Sequence, residues 1–140
     1  ISIWYDWKND GNDPAEDEHN FGTVSSHLKP KPAYTAVQTM NKQLKGFTFS
    51  RRIDVKNDND FVMLFKNDKG DYKISAWTMI PEHPVILEIE LPEVRSLTAS
   101  DGRGNELKLK TDHGSLVLDL GALPQYITLP RGMVMYVPLP

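Results

Sequence analysis

Apolar and polar positions along the chain change period at Gly46. Ahead of it, Ile1 to Trp7 is an apolar and aromatic run whose β-branched and aromatic content predicts a strand. The polar stretch that follows opens with Asn9, Asp10, Gly11, Asn12, Asp13 and Pro14, all turn formers, and lasts to Asn20 before Phe21, Gly22 and Val24. A loop of that length is often functional. A helix comes next: Pro32 suits the first turn, where its missing N–H costs nothing, and Gly46 can close the end. Between them Ala33, Ala36, Val37, Met40 and Leu44 recur at helical spacing, with Gln38, Asn41, Lys42 and Lys45 facing away. Lys42 and Lys45 fall in the last turn, where cations suit the carbonyl end of the helix.

Beyond Gly46 the period becomes two, as Phe47, Phe49, Ile53 and Val55 alternate with polar neighbours. Phe61 to Phe65 is an unbroken apolar run, which predicts a strand covered on both sides, and Asn67 to Asp71 with Gly70 predicts a hairpin turn into Tyr72 to Met79. Val85, Leu87, Ile89 and Leu91 alternate as a strand with one wet face does. Short strands follow at Leu97 and Ala99, Leu107 and Leu109, Leu116 to Leu120, Tyr126 to Leu129 and Val134 to Val137, separated by turns at Ser100 to Asn105 and Asp112 to Gly114. The expected fold is mainly β: an antiparallel β-sandwich over 46–140, preceded by one strand-loop-helix unit over 1–45. A lone unit of that kind leaves a sheet edge unpaired and a helix face wet unless something else covers them.

The 140 residues give about one domain of ordinary size and exclude a large enzyme. A net charge of -3 excludes the broad basic surface that attracts phosphate backbones, so no nucleic-acid partner is expected. No apolar run reaches the roughly 18 residues of a membrane span, so no membrane partner is expected either. There is no cysteine, which removes disulfides and thiolate metal sites and leaves the redox compartment open. Acidity is concentrated in residues 1–27, where Asp6, Asp10, Asp13, Glu16, Asp17 and Glu18 are accompanied by one base, Lys8. Because the chain opens at Ile1 inside an expected strand, it reads as a piece of a longer protein or a processed product.

The head carries a resemblance. Ile3-Trp4-Tyr5-Asp6-Trp7, Asn9-Asp10-Gly11, Asp13-Pro14, Glu18-His19-Asn20-Phe21-Gly22 and Lys29-Pro30-Lys31-Pro32-Ala33-Tyr34 resemble the last βα unit of a retaining (β/α)8-barrel glycoside hydrolase of the cellulase-like and xylosidase-like clan. Val62-Met63-Leu64-Phe65 through Gly70 to Ala76-Trp77-Thr78 is similar to the central hairpin of the small β-sandwich that ends such chains, and Pro124-Gln125-Tyr126-Ile127 to its closing strand. The resemblance implies a C-terminal fragment whose sandwich is a structural accessory. It also implies that both catalytic glutamates, at the ends of the fourth and seventh barrel strands, lie outside this chain. The partners it implies are carbohydrate and the remaining barrel, or another partner covering the helix face. Secretion or a periplasmic location follows from the resemblance alone.

On that reading Trp4 supplies an apolar platform under a sugar ring. Ser2, Trp4 and Asp6 share one side of the strand and face the barrel interior, whereas Ile3, Tyr5 and Trp7 face the helices. The candidate substrate-binding residues are Trp4, Asp6, Trp7, Asp10 and His19, with Glu18 as a further hydroxyl partner; His19 reads mainly as a residue that fixes the loop. Asp10, Asn12, Asp13 and Glu16 offer oxygen ligands without a complete calcium-loop order, so no metal and no cofactor is expected. His27, His83 and His113 lack metal-ligand spacing and are expected at the surface. Trp77, Tyr72, Tyr126 and Tyr136 are the aromatic candidates of the body, with Trp77 expected in the core. The alternative to an enzyme fragment is a free-standing, non-catalytic carbohydrate-binding module. The two readings differ at the apolar helix face, which stays partly open in the fragment and is fully buried in the module.

Overall fold

The structure, a computed structural model, describes residues 5–88, 97–112 and 115–129. The expectations for Ile1 to Trp4, Ile89, Leu91, His113, Val134 to Val137 and Tyr136 lie outside the described residues. Contacts divide the chain into two compact units, Ile1–Lys42 and Gln43–Pro140. The division falls inside the last turn of the helix.

The first unit holds a short 3-10 helix, Asp17–Asn20, and most of helix α1, Pro32–Leu44. The helix begins at the expected proline. It ends where the Phe47 N–H bonds the Leu44 carbonyl at 2.9 Å and Gly46 takes a φ of 78°. A Cβ on Gly46 would meet nothing within 4 Å, so the left-handed backbone, not crowding, favours glycine there. Along α1 Ala33 and Met40 are exposed, Ala36, Val37 and Leu44 are half-buried, and Thr39 is the buried residue. Tyr5 to Trp7 do not form the expected strand. Lys8 makes one parallel bridge to Val24, which bridges Pro30 in turn. A barrel strand takes its ladder from two neighbours, and the described residues supply one short partner.

The second unit is the expected sandwich. Strands β1 (Thr48–Ile53), β2 (Asp60–Lys66), β3 (Tyr72–Thr78), β5 (Thr98–Asp101), β6 (Glu106–Leu107) and β9 (Gln125–Thr128) form one sheet in the order β1-β2-β3-β9-β5-β6. β4 (His83–Leu87), β7 (Lys110–Asp112) and β8 (Ser115–Leu120) form a second in the order β4-β8-β7. All described pairings between these strands are antiparallel. The period-two pattern decides which side chains meet. Val62, Leu64, Ile74, Ala76 and Ile127 of the first sheet and Val85, Leu87, Leu116, Leu118 and Leu120 of the second join one buried cluster. The β2–β3 hairpin turns at Gly70, whose φ of 80° fits the αL position.

Three expectations about side-chain direction are corrected. Phe49 and Ile53 do not share a face, because a bulge between Phe49 and Arg51 leaves Ser50 as an extra residue and reverses the alternation. Ile53 is therefore in the core while Phe49 is 60% exposed beside Phe65. Trp77 is half-buried on the face away from the core, since its neighbours Ala76 and Thr78 take the inward positions. His83 is no simple surface residue: it is paired with the buried Asp60 at 2.9 Å. Elsewhere on the outer face Gln43 Nε2 donates to Ser100 Oγ at 3.0 Å and Lys73 Nζ donates to the Gln43 carbonyl at 2.7 Å. Burial pushes the Lys73 ammonium below its ordinary pKa. No helix among the described residues is long and apolar enough to cross a membrane.

Candidate functional site

The loop of the first unit is pinned by its backbone. The Trp7 carbonyl accepts Thr23 N–H and Thr23 Oγ1–H at 3.0 Å each and Val24 N–H at 3.1 Å, and Asn9 N–H donates to the Val24 carbonyl at 3.0 Å. Gly22 lies against this crossing so closely that a Cβ would stand 2.2 Å from Asn9 N and 2.4 Å from the Lys8 carbonyl carbon. Lys31, one residue before α1, reaches back to bond Asn9 Oδ1 at 3.1 Å and the Asn20 carbonyl at 2.7 Å. One ammonium thus ties both legs of the loop together.

His19 closes the loop tip from within. Its Nδ1 accepts the Asp13 N–H at 3.3 Å, and its ring covers Gly11, where a Cβ would approach the imidazole to 2.4 Å. Asn20 Nδ2 donates to the carbonyls of Asp13 and Glu16 at 3.0 and 2.8 Å. Asp13 Oδ1 accepts the Ala15 N–H at 2.9 Å, so this carboxylate serves the turn. Among the described residues no group of three or more His, Asp or Glu side chains is placed to hold a metal ion.

Aromatic rings and acids surround this frame. Tyr5, Trp7 and Phe21 are 62%, 58% and 46% exposed. Tyr5 meets Phe21 edge-on at 6.0 Å, and Trp7 meets Tyr34 of α1 edge-on at 5.8 Å. The Tyr5 hydroxyl donates to Glu18 Oε2 at 3.3 Å. The charges of Glu18 and Asp10, helped by Asp6, raise the phenol above its ordinary pKa. That negative field disfavours anionic ligands and leaves neutral polyhydroxy ligands acceptable. Beside Trp7 a cavity of about 480 Å³ is lined by Trp7, Thr23, Tyr34, Val37, Gln38 and Asn41. Two aromatic rings next to two carboxamides and a hydroxyl can offer an apolar platform together with donors and acceptors for hydroxyl groups.

The four described candidates, Asp6, Trp7, Asp10 and His19, do not converge on one point. Trp4 lies outside the described residues. Asp6 and Asp10 act on Tyr5 through their charge, and the Asp6 carboxylate accepts the neighbouring Trp7 N–H. His19 turns into its own loop and Trp7 towards Tyr34 of α1. Tyr34, Gln38 and Asn41, which line the cavity with Trp7, were not among the sequence candidates. Their spacing of four and then three residues along one helix face was the available signal, hidden because Gln38 and Asn41 read as ordinary solvent-facing positions.

No family model matches the chain, and no curated protein does. Among solved structures, a family 39 glycoside hydrolase from the gut symbiont Bacteroides cellulosilyticus WH2 matches with a TM-score of 0.78 and 35% identity. The match covers 91% of this chain and 26% of that enzyme's chain, so this chain spans about a quarter of that relative's length. The resemblance to a glycoside hydrolase carried by Trp4 to Tyr34 and by the sandwich is thereby borne out, and what the chain resembles is a part of such an enzyme.

Proposed function

We propose that this chain is the C-terminal portion of a retaining glycoside hydrolase acting on polysaccharide or oligosaccharide. The first unit contributes the last strand, loop and helix of its (β/α)8 barrel, and the sandwich is a structural accessory. The observation that carries this reading is 35% identity over 91% of the chain to a family 39 glycoside hydrolase.

This portion alone is not a glycosidase on the same reading. Retaining hydrolysis needs two carboxyl groups about 5–5.5 Å apart across the scissile bond. The resemblance puts both glutamates on other barrel strands, and the glutamates of the first unit, Glu16 and Glu18, sit on the exposed loop. Within the whole enzyme Trp4, Asp6, Trp7, Asp10 and His19 belong to the end of the last strand and the loop that follows it, as platform, hydroxyl partners and loop support.

The test is to titrate the purified chain with soluble and insoluble plant polysaccharides while assaying released reducing ends, comparing wild type with Trp4→Ala. Absence of hydrolysis is expected in both. Release of reducing ends by the wild-type chain would overturn the assignment of the catalytic pair to other strands. Tight polysaccharide binding lost in Trp4→Ala would turn the reading towards a carbohydrate-binding module.

A further inference from the structure

Asp60 opens β2 with only 2% of its surface exposed, and its carboxylate is held from two sides. Thr78 Oγ1 donates to Oδ1 at 2.7 Å, and His83 Nε2 stands 2.9 Å from Oδ2. The other ring nitrogen, Nδ1, stands 2.9 Å from the Pro81 carbonyl oxygen. A carbonyl and a carboxylate only accept, and a neutral imidazole has a single N–H. Both contacts are therefore hydrogen bonds only when His83 is an imidazolium.

The residues involved join the two sheets. Asp60 and Thr78 end neighbouring strands of the six-stranded sheet, and His83 begins β4 of the three-stranded one. At the same corner the Thr78 N–H bonds the Gly121 carbonyl at 2.9 Å, just past β8, and the Met79 N–H bonds the Asn59 carbonyl at 3.0 Å. The charged groups around the pair come from every element there. Arg52 of β1 donates to the carbonyls of Asp58 and Asp60 at 2.9 and 2.8 Å, and the Asn57 side chain also bonds Asp60. Glu82 precedes His83, with its Oε2 3.7 Å from where a Gly121 Cβ would be, and Asp119 of β8 pairs with Pro84. Of these groups, Asp60 is the one whose charge acts on the ring, and it favours the protonated form.

We propose that Asp60 and His83 form a pH-operated latch between the two sheets, fully made while His83 is protonated and weakened when it loses its proton, because a neutral ring keeps only one of its two hydrogen bonds. The titration directions agree with the geometry. Burial pushes the Asp60 carboxyl up, but hydrogen bonds from Thr78 and His83 outweigh it and hold the group below its ordinary range. The Pro81 carbonyl and then the Asp60 carboxylate raise the His83 imidazole. The histidine's contribution to stability is fully present below its ordinary pKa of 6.5 and is lost as pH rises through the raised folded value. The aspartate's is present above 3.8 and is lost as pH falls through the depressed one.

The experiment is a nitrogen-15 imidazole titration of the 140-residue chain, with hydrogen exchange at the Thr78 and Met79 amides followed across the same pH range. The wild type should show both His83 ring nitrogens protonated at pH 6.5 and a midpoint above that value. Protection of the two amides, corrected for intrinsic exchange, should then fall with rising pH, by up to tenfold for each unit the midpoint is raised. In Asp60→Asn the new amide can donate to a neutral Nε2 while Nδ1–H still reaches Pro81, so the midpoint should drop and the pH dependence reverse. His83→Gln has no ring to titrate and should be flat, which keeps the test decisive if Asp60→Asn does not fold. A wild-type midpoint at or below 6.5, or the same pH dependence in His83→Gln, overturns the latch.

Discussion

Phe61 and Trp77 stand opposite each other in the β2–β3 register and stack face to face, their ring centroids 5.0 Å apart and their planes 4° from parallel. Arg52 adds a guanidinium 4.6 Å from the Phe61 centroid, from the β1 side. A line of side chains therefore crosses three strands on the face away from the core, and explains why the unbroken run Phe61 to Phe65 tolerates apolar residues on both faces. Trp77→Ala should cost about 2–3 kcal/mol, combining lost burial with the lost ring pair. Trp77→Phe should recover most of it. Urea denaturation of the two variants measures the difference, and equal midpoints for them would show that a ring at position 77 contributes nothing.

The helix and the sandwich were legible because their signals are local. Pro32 and Gly46 bracket α1, an unbroken apolar run and the turn after it mark β2 and β3, and period-two alternation marks β4 and β8. The position of Phe49 was not legible, since a single bulged residue reverses every inference about facing and leaves no mark on composition. The Asp60–His83 pair was missed for a different reason. The two residues lie 23 positions apart and meet only when two sheets pack, so no spacing rule links them. In the head, strand propensity was read correctly as apolar and aromatic character, but propensity does not form a ladder without neighbours. The cavity by Trp7 depended on helix residues whose polarity read as solvent exposure.

Asp101 should make the β5–β6 turn dependent on pH. Its Oδ1 accepts the N–H groups of Arg103 and Asn105 at 2.8 and 2.9 Å, and its Oδ2 accepts Asn105 Nδ2 at 2.8 Å. Burial raises the carboxyl, and the bonds from Asn105, Arg103 and Gly104 outweigh it, so the group titrates below its ordinary 3.8. A depressed carboxyl stabilises above its unfolded pKa and loses that contribution as pH falls through its folded pKa. Asp101→Asn should therefore be less stable than wild type at pH 7 by about 1–3 kcal/mol. The gap should close as pH drops below 3.8, where the wild type is protonated too. Thermal melts of both proteins between pH 2.5 and 7 test this, and a constant gap would mean that the charge is not what the turn uses.

Gly22 should be irreplaceable for a reason unlike that of Gly46. A Cβ at position 22 would lie 2.2 Å from Asn9 N and 2.4 Å from the Lys8 carbonyl carbon, both backbone atoms that no rotamer change can move. Gly22→Ala must therefore push the two legs of the loop apart, where Asn9 N–H meets the Val24 carbonyl and Val24 N–H meets that of Trp7. The cost of such overpacking is about 1–3 kcal/mol. It should fall on the first unit, so hydrogen exchange at Asn9 and Val24 should quicken while the β2–β3 amides keep their protection. Gly46→Ala meets open space and carries only the left-handed backbone penalty, about 1–2 kcal/mol, with no change at Asn9. If the Asn9 and Val24 amides stayed protected in Gly22→Ala, the close approach of the two loop legs would be wrong, and with it the frame that positions Trp7 beside α1.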